Sequence, residues 1–268
     1  LTAHQKLVAD GKYLPLIRDQ AETLSKALDA SPYGLLDDYP GECYPVDVVG
    51  ALAAIQQADV VLGTDRSAFI KRSLRAFHGE RTDEYGLPVY NVDSRTGQGQ
   101  GFSRGCGNSF ILTWAPELWP EQANDWYAQY DKHFWQDRWW ARGYRENARE
   151  TPAQAQVEDV DSGPVVAGFG TAASAFGVGA ARANGRFDHA YPLSAEMLCV
   201  SWPLPGGTLL IPRVLSNAIH APHLADSAIL FALTRTPPDG LEIRPGKDLP
   251  VSLWLVLGLF LLLGGTVL

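Results

Sequence analysis

Three stretches of the chain share one pattern, in which a polar loop rich in glycine and proline leads into a run of small apolar residues. They lie at residues 39–63, 101–118 and 159–185. Runs this long and this rich in alanine predict helices rather than strands. The second run is followed at 121–135 by a segment with charge on one face, which is typical of a helix on the outside of a domain.

The loops that open these runs are centred near residues 43, 106 and 163, so the pattern recurs about every 60 residues. A period of this length with alternating helix types predicts stacked helical hairpins. We therefore expect an all-α domain at residues 1–235, built as an (α/α) toroid of hairpins that is incomplete in this chain. In such a ring the apolar helices surround a pocket, and the loops before them line its mouth. A further helix is predicted near 222–234.

The C-terminal segment has a different composition, because no charged residue occurs from Leu249 to Leu268. Its last 18 residues would extend about 27 Å as a helix, close to the roughly 30 Å of a bilayer's hydrocarbon core. The pattern predicts a linker at 236–250 and a transmembrane helix at 251–268, with a buried core helix as the alternative. The expected location is therefore a membrane of the bacterial inner-membrane type.

Composition narrows the choice of partners. The chain carries a formal net charge of −8, and its 22 lysines and arginines form no basic stripe, which argues against nucleic acid. Three widely spaced cysteines do not make a disulfide framework or a cysteine-rich zinc site. No metal site is predicted, and neither a strict GxGxxG nor a P-loop motif is present.

The first loop concentrates residue types that can carry chemistry. Crowded carboxylates raise one another's pKa, which provides a general acid at neutral pH. The alternative for Asp47 is a capping role at the start of the following helix. The candidates in this loop are Asp38, Tyr39, Glu42, Cys43, Tyr44 and Asp47.

The other two loops add further candidates. Arg104 comes from the second loop, and Arg145, Glu146 and Asp161 come from the third. In the second loop, Cys106 is interpreted as a small buried thiol rather than a nucleophile. Trp139 and Trp140 lie in an aromatic segment that either packs between hairpins or forms a wall against a sugar ring or a terpene chain.

The order of these elements resembles the linalool dehydratase/isomerase-like group of (α/α)6 toroids. Three stretches carry the resemblance, over about residues 35–185. They are the cysteine-containing loop with the helix that ends in LGTD at 62–65, the segment NSFILTWAPELWPEQANDWYAQYDKHF at 108–134, and REN at 145–147 with DVDSGPVVAGFGTAASAFGVGAARANG at 159–185.

The resemblance implies a pocket without a cofactor, in which acids, a tyrosine and cysteines move protons to add or remove water. Arg145, Glu146, Asp161 and Gly163 fall as in the family. The family has two cysteines in the first loop, whereas this chain has only Cys43, so that Asp38 or Asp47 stands in place of the other.

The first functional hypothesis is a membrane-anchored enzyme that hydrates or dehydrates a hydroxylated organic substrate by general acid–base catalysis. Asp38 or Asp47 would be the acid or base, Tyr44 would orient the leaving hydroxyl, Cys43 would assist proton transfer, and Asp161 would hold Arg145 or the substrate. The remaining candidates, Tyr39, Glu42, Arg104, Glu146, Trp139 and Trp140, would bind substrate.

Two alternatives remain open from the sequence. One is a glycosidase or sugar-polymer lyase on the same fold, with carboxylates from different loops such as Asp47 and Asp161. The other is a non-catalytic binding domain tethered to the membrane, in which the carboxylates only cap helices. The expected partners are a small-molecule or carbohydrate substrate and a membrane.

Overall fold

The described part of the chain is mostly helical, which confirms the all-α prediction at this level. The computed structural model describes residues 1–159, 161–202, 209–210, 223–246 and 248–265. Its α-helices are α1 (Thr2–Val8), α2 (Leu14–Ala30), α3 (Pro45–Leu62), α4 (Ser67–Ser73), α5 (Gly105–Leu118), α6 (Pro120–Phe134), α7 (Thr171–Ala183), α8 (Phe187–Val200), α9 (Leu224–Thr234) and α10 (Val251–Gly265).

Prolines and glycines set several of the helix boundaries. Pro15, Pro45 and Pro120 each lie in the first turn of a helix, where the missing N–H has no intrahelical partner to lose. Helix α3 ends at Gly63, whose φ of 64° is the left-handed conformation that terminates many helices. The helices predicted after the first two loops are confirmed as α3 and α5, and the helix predicted near 222–234 as α9.

The helices form two rows. In the inner row α3 packs on α5, α5 on α7, and α7 on α9, in chain order. In the outer row α2 packs against α3, α6 against α5, and α8 against α7. Most of α5 is buried, because it has neighbours on both sides and an outer helix behind it.

Helices α5 and α7 approach each other closely through small residues. A Cβ on Gly105 would lie 2.0 Å from the Arg145 carbonyl oxygen and 2.8 Å from Ala173 Cβ. A Cβ on Gly177 would lie 2.4 Å from the ring of Tyr144. Because interiors are packed as densely as crystals, a larger side chain at Gly105 would push α5 away from α7, and one at Gly177 would push α7 away from Tyr144.

Three short antiparallel hairpins connect the helices. They pair β1 (Asn91–Val92) with β2 (Gly99–Gln100), β3 (Trp135–Asp137) with β4 (Arg142–Tyr144), and β5 (Val165–Val166) with β6 (Phe169–Gly170). The third hairpin corrects the prediction that the whole apolar run within 159–185 is helical. Helix α7 begins only at Thr171, because Ala167 and Gly168 turn the chain with φ values of 51° and 87°.

Two apolar helices bear on the membrane prediction. Among the described residues, α3 is the one helix long and apolar enough to cross a bilayer, yet Val49, Leu52 and Ile55 on it belong to the hydrophobic core. Helix α10 is described for 15 residues from Val251, the residue where the transmembrane helix is predicted to begin. Its large apolar side chains are exposed, with Leu255 66% and Leu262 72% exposed. Residues 266–268 lie outside the described range.

The substitution Gly177→Ala tests the close packing of α7 against Tyr144 on β4. We expect it to lower the free energy of unfolding by about 1–3 kcal/mol, because the new methyl group overlaps the Tyr144 ring. Denaturant titration followed by circular dichroism measures the change. The matched control is Gly50→Ala in α3, where the new Cβ lies 3.6 Å from Phe110 in ordinary contact and helix propensity favours alanine by about 0.5–1 kcal/mol. Equal effects of the two substitutions would contradict the packing described.

Candidate functional site

The three polar loops of the sequence analysis meet at one end of the inner helices. The exposed surface that they form there, with Tyr44, Asp47, Tyr90 and Asp161, is called the mouth. Tyr44 and Asp47 lie at the start of α3, and Arg104 and Cys106 at the start of α5. Asp161 lies in the segment that leads into the third hairpin and α7. The inner helices pack side by side in chain order, and their first turns are linked by the contacts described next.

Arg104 is the centre of these contacts. Its Nε donates to Glu146 Oε1 at 2.8 Å, and its two terminal nitrogens donate to the two carboxylate oxygens of Asp159, each at 2.8 Å. Its guanidinium carbon lies 4.0 Å from the centre of the Tyr90 ring. Arg104 is 5% exposed, so a planar buried cation is satisfied by two carboxylates and an aromatic face.

Glu146 links Arg104 to the first turn of α5. The Cys106 N–H donates to Glu146 Oε2, and the Cys106 thiol donates to Oε1, both at 3.1 Å. Burial raises the pKa of Glu146, while the Cys106 thiol and Arg104 act in the opposite direction. Burial, and then the Glu146 charge, raise the pKa of Cys106, so the thiol keeps its proton at neutral pH, which agrees with its interpretation as a buried thiol.

Tyr90 joins the buried ion pair to the exposed mouth. Its hydroxyl donates to Asp161 Oδ2 at 2.9 Å, and its ring meets the Tyr44 ring edge-on with centroids 5.4 Å apart. Burial raises the pKa of Tyr90 above its usual range, so the hydroxyl is a proton donor at neutral pH. Asp159 is pinned by Arg104, whose hydrogen bonds lower the pKa of that carboxyl.

Sequence reasoning did not place Tyr90 or Asp159 among the site residues. Tyr90 lies ahead of the second loop in the segment LPVYNVD, where an aromatic residue among apolar neighbours has the pattern of a core residue. Asp159 lies two residues before Asp161 in an acidic stretch. In the sequence, the closeness of Asp159 to Asp161 marks it as a possible site residue. It does not indicate which of these two carboxylates binds Arg104.

Asp47 and Asp161 form the exposed carboxylate pair at the mouth. Partial desolvation, and then the charge of Asp161, raise the pKa of Asp47. This is the shift expected when two carboxylates share a site. The two residues named as a possible pair from separate loops are therefore electrostatic neighbours in the structure.

Asp38, Glu42 and Tyr44 extend the acidic side of the mouth. The Tyr44 N–H donates to Asp38 Oδ2 at 2.7 Å, and the Tyr44 hydroxyl donates to Glu42 Oε2 at 2.7 Å. The hydrogen bond to Glu42, together with desolvation, raises the pKa of Tyr44. Desolvation raises the pKa of Asp38, with Asp47 adding to it by repulsion. The cap position of α3 is occupied by Tyr44, and Asp47 lies in the first turn of the helix.

Cys43 lies behind this loop rather than at its surface. It is fully buried in the hydrophobic core, and its carbonyl accepts a hydrogen bond from the Val92 N–H at 2.9 Å. Burial, with smaller contributions from Asp38 and Asp37, raises the pKa of the Cys43 thiol to about 12. The side chain is therefore a protonated thiol at neutral pH.

The structure does not bring the remaining candidates to the mouth in the expected way. Arg145 donates to Gln136 Oε1 at 2.5 Å and to the Asn147 carbonyl at 3.2 Å, whereas Asp161 is held by Tyr90. The expected Asp161–Arg145 pairing is thus replaced by other partners on both sides. Tyr39 is exposed at the turn that bridges back to Glu42.

The two tryptophans proposed as an aromatic wall lie elsewhere. Trp139 is 73% exposed at the tip of the β3–β4 hairpin, and its carbonyl accepts a hydrogen bond from the Val251 N–H at the start of α10. Trp140 packs edge-on against Phe169. They lie beside α10 and make no recorded contact with the carboxylates of the mouth.

The pocket predicted to be surrounded by the inner helices is not found behind the mouth in the described part of the chain. The space bordered by Val46, Val89, Tyr90, Asn108 and Ile111 leaves no room for a water molecule. The accessible side of the mouth is the exposed one, where Asp47 and Asp161 lie.

A second, open cleft of about 450 Å³ lies between the β3–β4 hairpin and α8, and His189 is on its wall. Arg186 donates to His189 Nε2 at 2.9 Å, so the ring proton is on Nδ1, which faces the hydroxyls of Tyr127 at 3.1 Å and Tyr144 at 3.3 Å. Burial lowers the pKa of His189 to about 4, which keeps the imidazole neutral. All four side chains are thus mutually satisfied, as buried polar groups in a packed interior generally are.

Comparison with known proteins assigns no class: no protein-family model matches the chain, and no curated protein matches it either. Within the part of the chain that the structure describes, no three His, Cys, Asp or Glu side chains are grouped as a metal ion would require. The side chains of the mouth and their hydrogen bonds are therefore the features of the chain that bear on its function.

The repulsion between Asp47 and Asp161 predicts a measurable shift. In Asp161→Asn the pKa of Asp47 should fall, because the neighbouring negative charge that raises it is removed. Carboxyl-carbon NMR titration reports this value directly. Asp93 serves as an internal reference, since its pKa is lowered by backbone N–H groups of Thr96 and Arg95 and should stay unchanged. An unchanged Asp47 titration would show that the two carboxylates do not share a site.

The raised pKa of Glu196 on α8 should make the free energy of unfolding depend on pH. Its Oε1 accepts the Arg142 N–H at 2.9 Å, and burial raises the pKa of the carboxyl from the ordinary 4.5 to about 7. Because the folded state holds the proton more tightly, the stabilisation is complete below about pH 4.5 and is lost as the pH rises to about 7. Glu196→Gln should remove this component, so its free energy of unfolding relative to the native chain should rise between these pH values. Urea titrations of both proteins across this range provide the measurement, and parallel curves would contradict the shift.

Proposed function

We propose that this protein is an enzyme that adds water to, or removes it from, a hydroxylated organic molecule by general acid–base catalysis. The observation that carries the proposal is the meeting of Asp47, Asp161, Tyr90 and Tyr44 at one exposed mouth. Asp47, a carboxyl whose pKa is raised, lies beside the carboxylate of Asp161 and two tyrosine hydroxyls, so a candidate proton donor and a candidate proton acceptor lie in one place.

The roles follow from the hydrogen bonds. Asp47, whose pKa is raised, is the proposed acid that protonates a leaving hydroxyl, so that the C–O bond breaks and water departs. Asp161, which accepts the Tyr90 hydroxyl, is the proposed base that removes a proton from the neighbouring carbon as the double bond forms. Asp47 donates one proton and Asp161 accepts one, so the number of protons on the pair is unchanged. A proton that passes from Asp161 back to Asp47, directly or through water, restores the starting state.

Arg104, Glu146 and Asp159 have a positioning role in this proposal. Arg104 is buried and is held by two carboxylates, which accept three of its five N–H donors. Its guanidinium lies against the face of Tyr90 and thereby sets the position of the hydroxyl that binds Asp161. Cys43 and Cys106 are buried thiols that support the loops from behind.

The architecture supports the same proposal at a coarser level. We propose an (α/α) toroid as the fold, because the helices alternate between an inner and an outer row. The inner row is α3, α5, α7 and α9, and the outer row is α2, α6 and α8. We further propose that α10 anchors the domain in a membrane, because its large apolar side chains face outward and it carries no charge.

A glycosidase or sugar-polymer lyase is the second candidate. Its support is the exposure of Asp47 and Asp161, since an open pair of carboxylates from different loops suits a sugar chain as well as a small alcohol. A non-catalytic binding domain predicts no turnover of either class of substrate.

The decisive experiment uses the full chain in detergent or lipid nanodiscs with two substrate panels in ¹⁸O-labelled water. One panel contains small unsaturated alcohols, including terpene alcohols, and the other contains aryl glycosides and oligosaccharides. We expect ¹⁸O to enter the alcohols, and we expect Asp47→Asn and Asp161→Asn each to slow this exchange by about 10²–10⁴-fold. Tyr90→Phe should slow it as well, because Asp161 loses its hydrogen bond.

The control is Asp125→Asn, which removes an exposed carboxylate on α6 away from the mouth and should leave the rate unchanged. Cleavage of glycosides without alcohol exchange would favour the second candidate. Absence of both activities, or equal rates for the mouth variants and the control, would overturn the enzyme proposal.

A further inference from the structure

The chain that leads into α10 is bound to the domain rather than extended away from it. Arg244 donates its N–H to the Gly185 carbonyl at 2.8 Å, and Arg142 Nη1 donates to the Asp248 carbonyl at 2.8 Å. At the first turn of α10, Val251 N–H donates to the Trp139 carbonyl at 3.2 Å, and the Ser252 hydroxyl donates to the Trp140 carbonyl. Helix α10 therefore leaves the domain from a defined position beside the β3–β4 hairpin.

The tip of that hairpin has the side chains of a membrane interface. Trp139 is 73% exposed, and Arg138 beside it is also exposed. Tryptophan is enriched at the headgroup level of bilayers, because its ring is amphipathic, and arginine is attracted by lipid phosphates. Since the tip is bonded to the first turn of α10, it lies where the headgroups would surround a helix that enters the bilayer at Val251.

The C-terminal end of α8 runs along the flank of α10. The rings of Trp202 and Phe260 pack with centroids 4.5 Å apart. Phe260 lies nine residues beyond Val251, or about 14 Å further along the helix axis. The residues from Leu198 to Trp202 carry no charge, and within them Leu198 is 43% and Val200 68% exposed.

We infer that the end of α8 and the hairpin tip form, with α10, one membrane-inserting face whose partner is the lipid bilayer. Trp139 lies at the headgroup level in this arrangement, and Val200 and Trp202 enter the hydrocarbon beside Phe260. The inference rests on the membrane anchoring included in the proposed function and goes beyond it. It states that the domain itself is seated in the leaflet and does not hang from a flexible tether.

Continuity with α10 favours lipid over a second protein copy as the occupant. A helix whose large side chains are apolar on every side has no face left for water. The side chains on the end of α8 continue that surface without a charged residue between them and the helix contact. Arg138 lies at the rim of the face, where phosphates would meet it, and the other charged residues of the hairpin, Asp137 and Arg142, pair with each other.

The test measures the depth of spin labels on the full chain reconstituted in vesicles of phosphatidylcholine and phosphatidylglycerol. The background is Cys199→Ser, because Cys43 and Cys106 are buried and Cys199 is only half-buried. Labels are placed separately at Val200→Cys, at Leu255→Cys in α10, and at the control Val60→Cys. Val60 on α3 is 68% exposed, as Val200 is, but belongs to a helix that packs against α2 and α5.

We expect collisions with oxygen, relative to collisions with a water-soluble nickel chelate, to be several-fold higher at Val200 than at Val60. Leu255 should behave like Val200. If Leu255 is in hydrocarbon and Val200 is in water, the inference fails while the anchoring stands. If Leu255 is also in water, the membrane part of the proposed function fails with it.

The labels at Val200 on two copies of the chain could instead show spin–spin coupling that disappears when unlabelled protein is added. If this coupling occurs without raised collisions with oxygen, a second copy covers the face and the lipid assignment is overturned. Each labelled protein must unfold at the temperature of the unlabelled background. If Val200→Cys does not meet that condition, Leu198→Cys on the same face takes its place.

Discussion

The site is organised by the burial of the Arg104 guanidinium. A buried cation has to be paired, since an unpaired one carries a large desolvation penalty. Its two carboxylates, Glu146 and Asp159, come from the long connection between α6 and α7, whereas Arg104 itself opens α5. Satisfying one side chain therefore ties two distant parts of the chain together at the end of the inner helices, and the Tyr90 ring is placed against the same cation.

That pairing separates the charged residues into two layers. In the inner layer Arg104, Glu146 and Asp159 are hydrogen-bonded to one another and to Cys106. The outer layer keeps free carboxylate oxygens, and Tyr90 is the link between the two. A rigid inner layer beneath adjustable outer carboxylates is the arrangement that general acid–base catalysis needs, because proton transfer depends on fixed positions and on a pKa near the working pH.

The helical architecture and the meeting of the loops were predictable to a large extent. Repeated loops before apolar runs predicted α3 and α5, and a shared end of neighbouring helices placed Asp47 near Asp161. The partners within the loops were not predictable. Arg145 and Arg104 are both arginines near acidic residues, and only their positions in the fold determine that Arg104 holds Asp159 while Arg145 binds Gln136. The hairpin before α7 escaped prediction because its valines and phenylalanine are also compatible with a helix.

The sequence by itself determined the helical class, the position of the polar loops and the uncharged C-terminal helix, because hydrophobic periodicity and composition act over neighbouring residues. Tertiary structure alone decided that Tyr90 belongs to the site and that Cys43 lies in the core. It also decided that Trp139 lies beside α10 instead of at the mouth. The physical reason is that hydrogen bonds, ion pairs and ring contacts are short-ranged in space, and residues far apart in the chain make them only after the helices have packed.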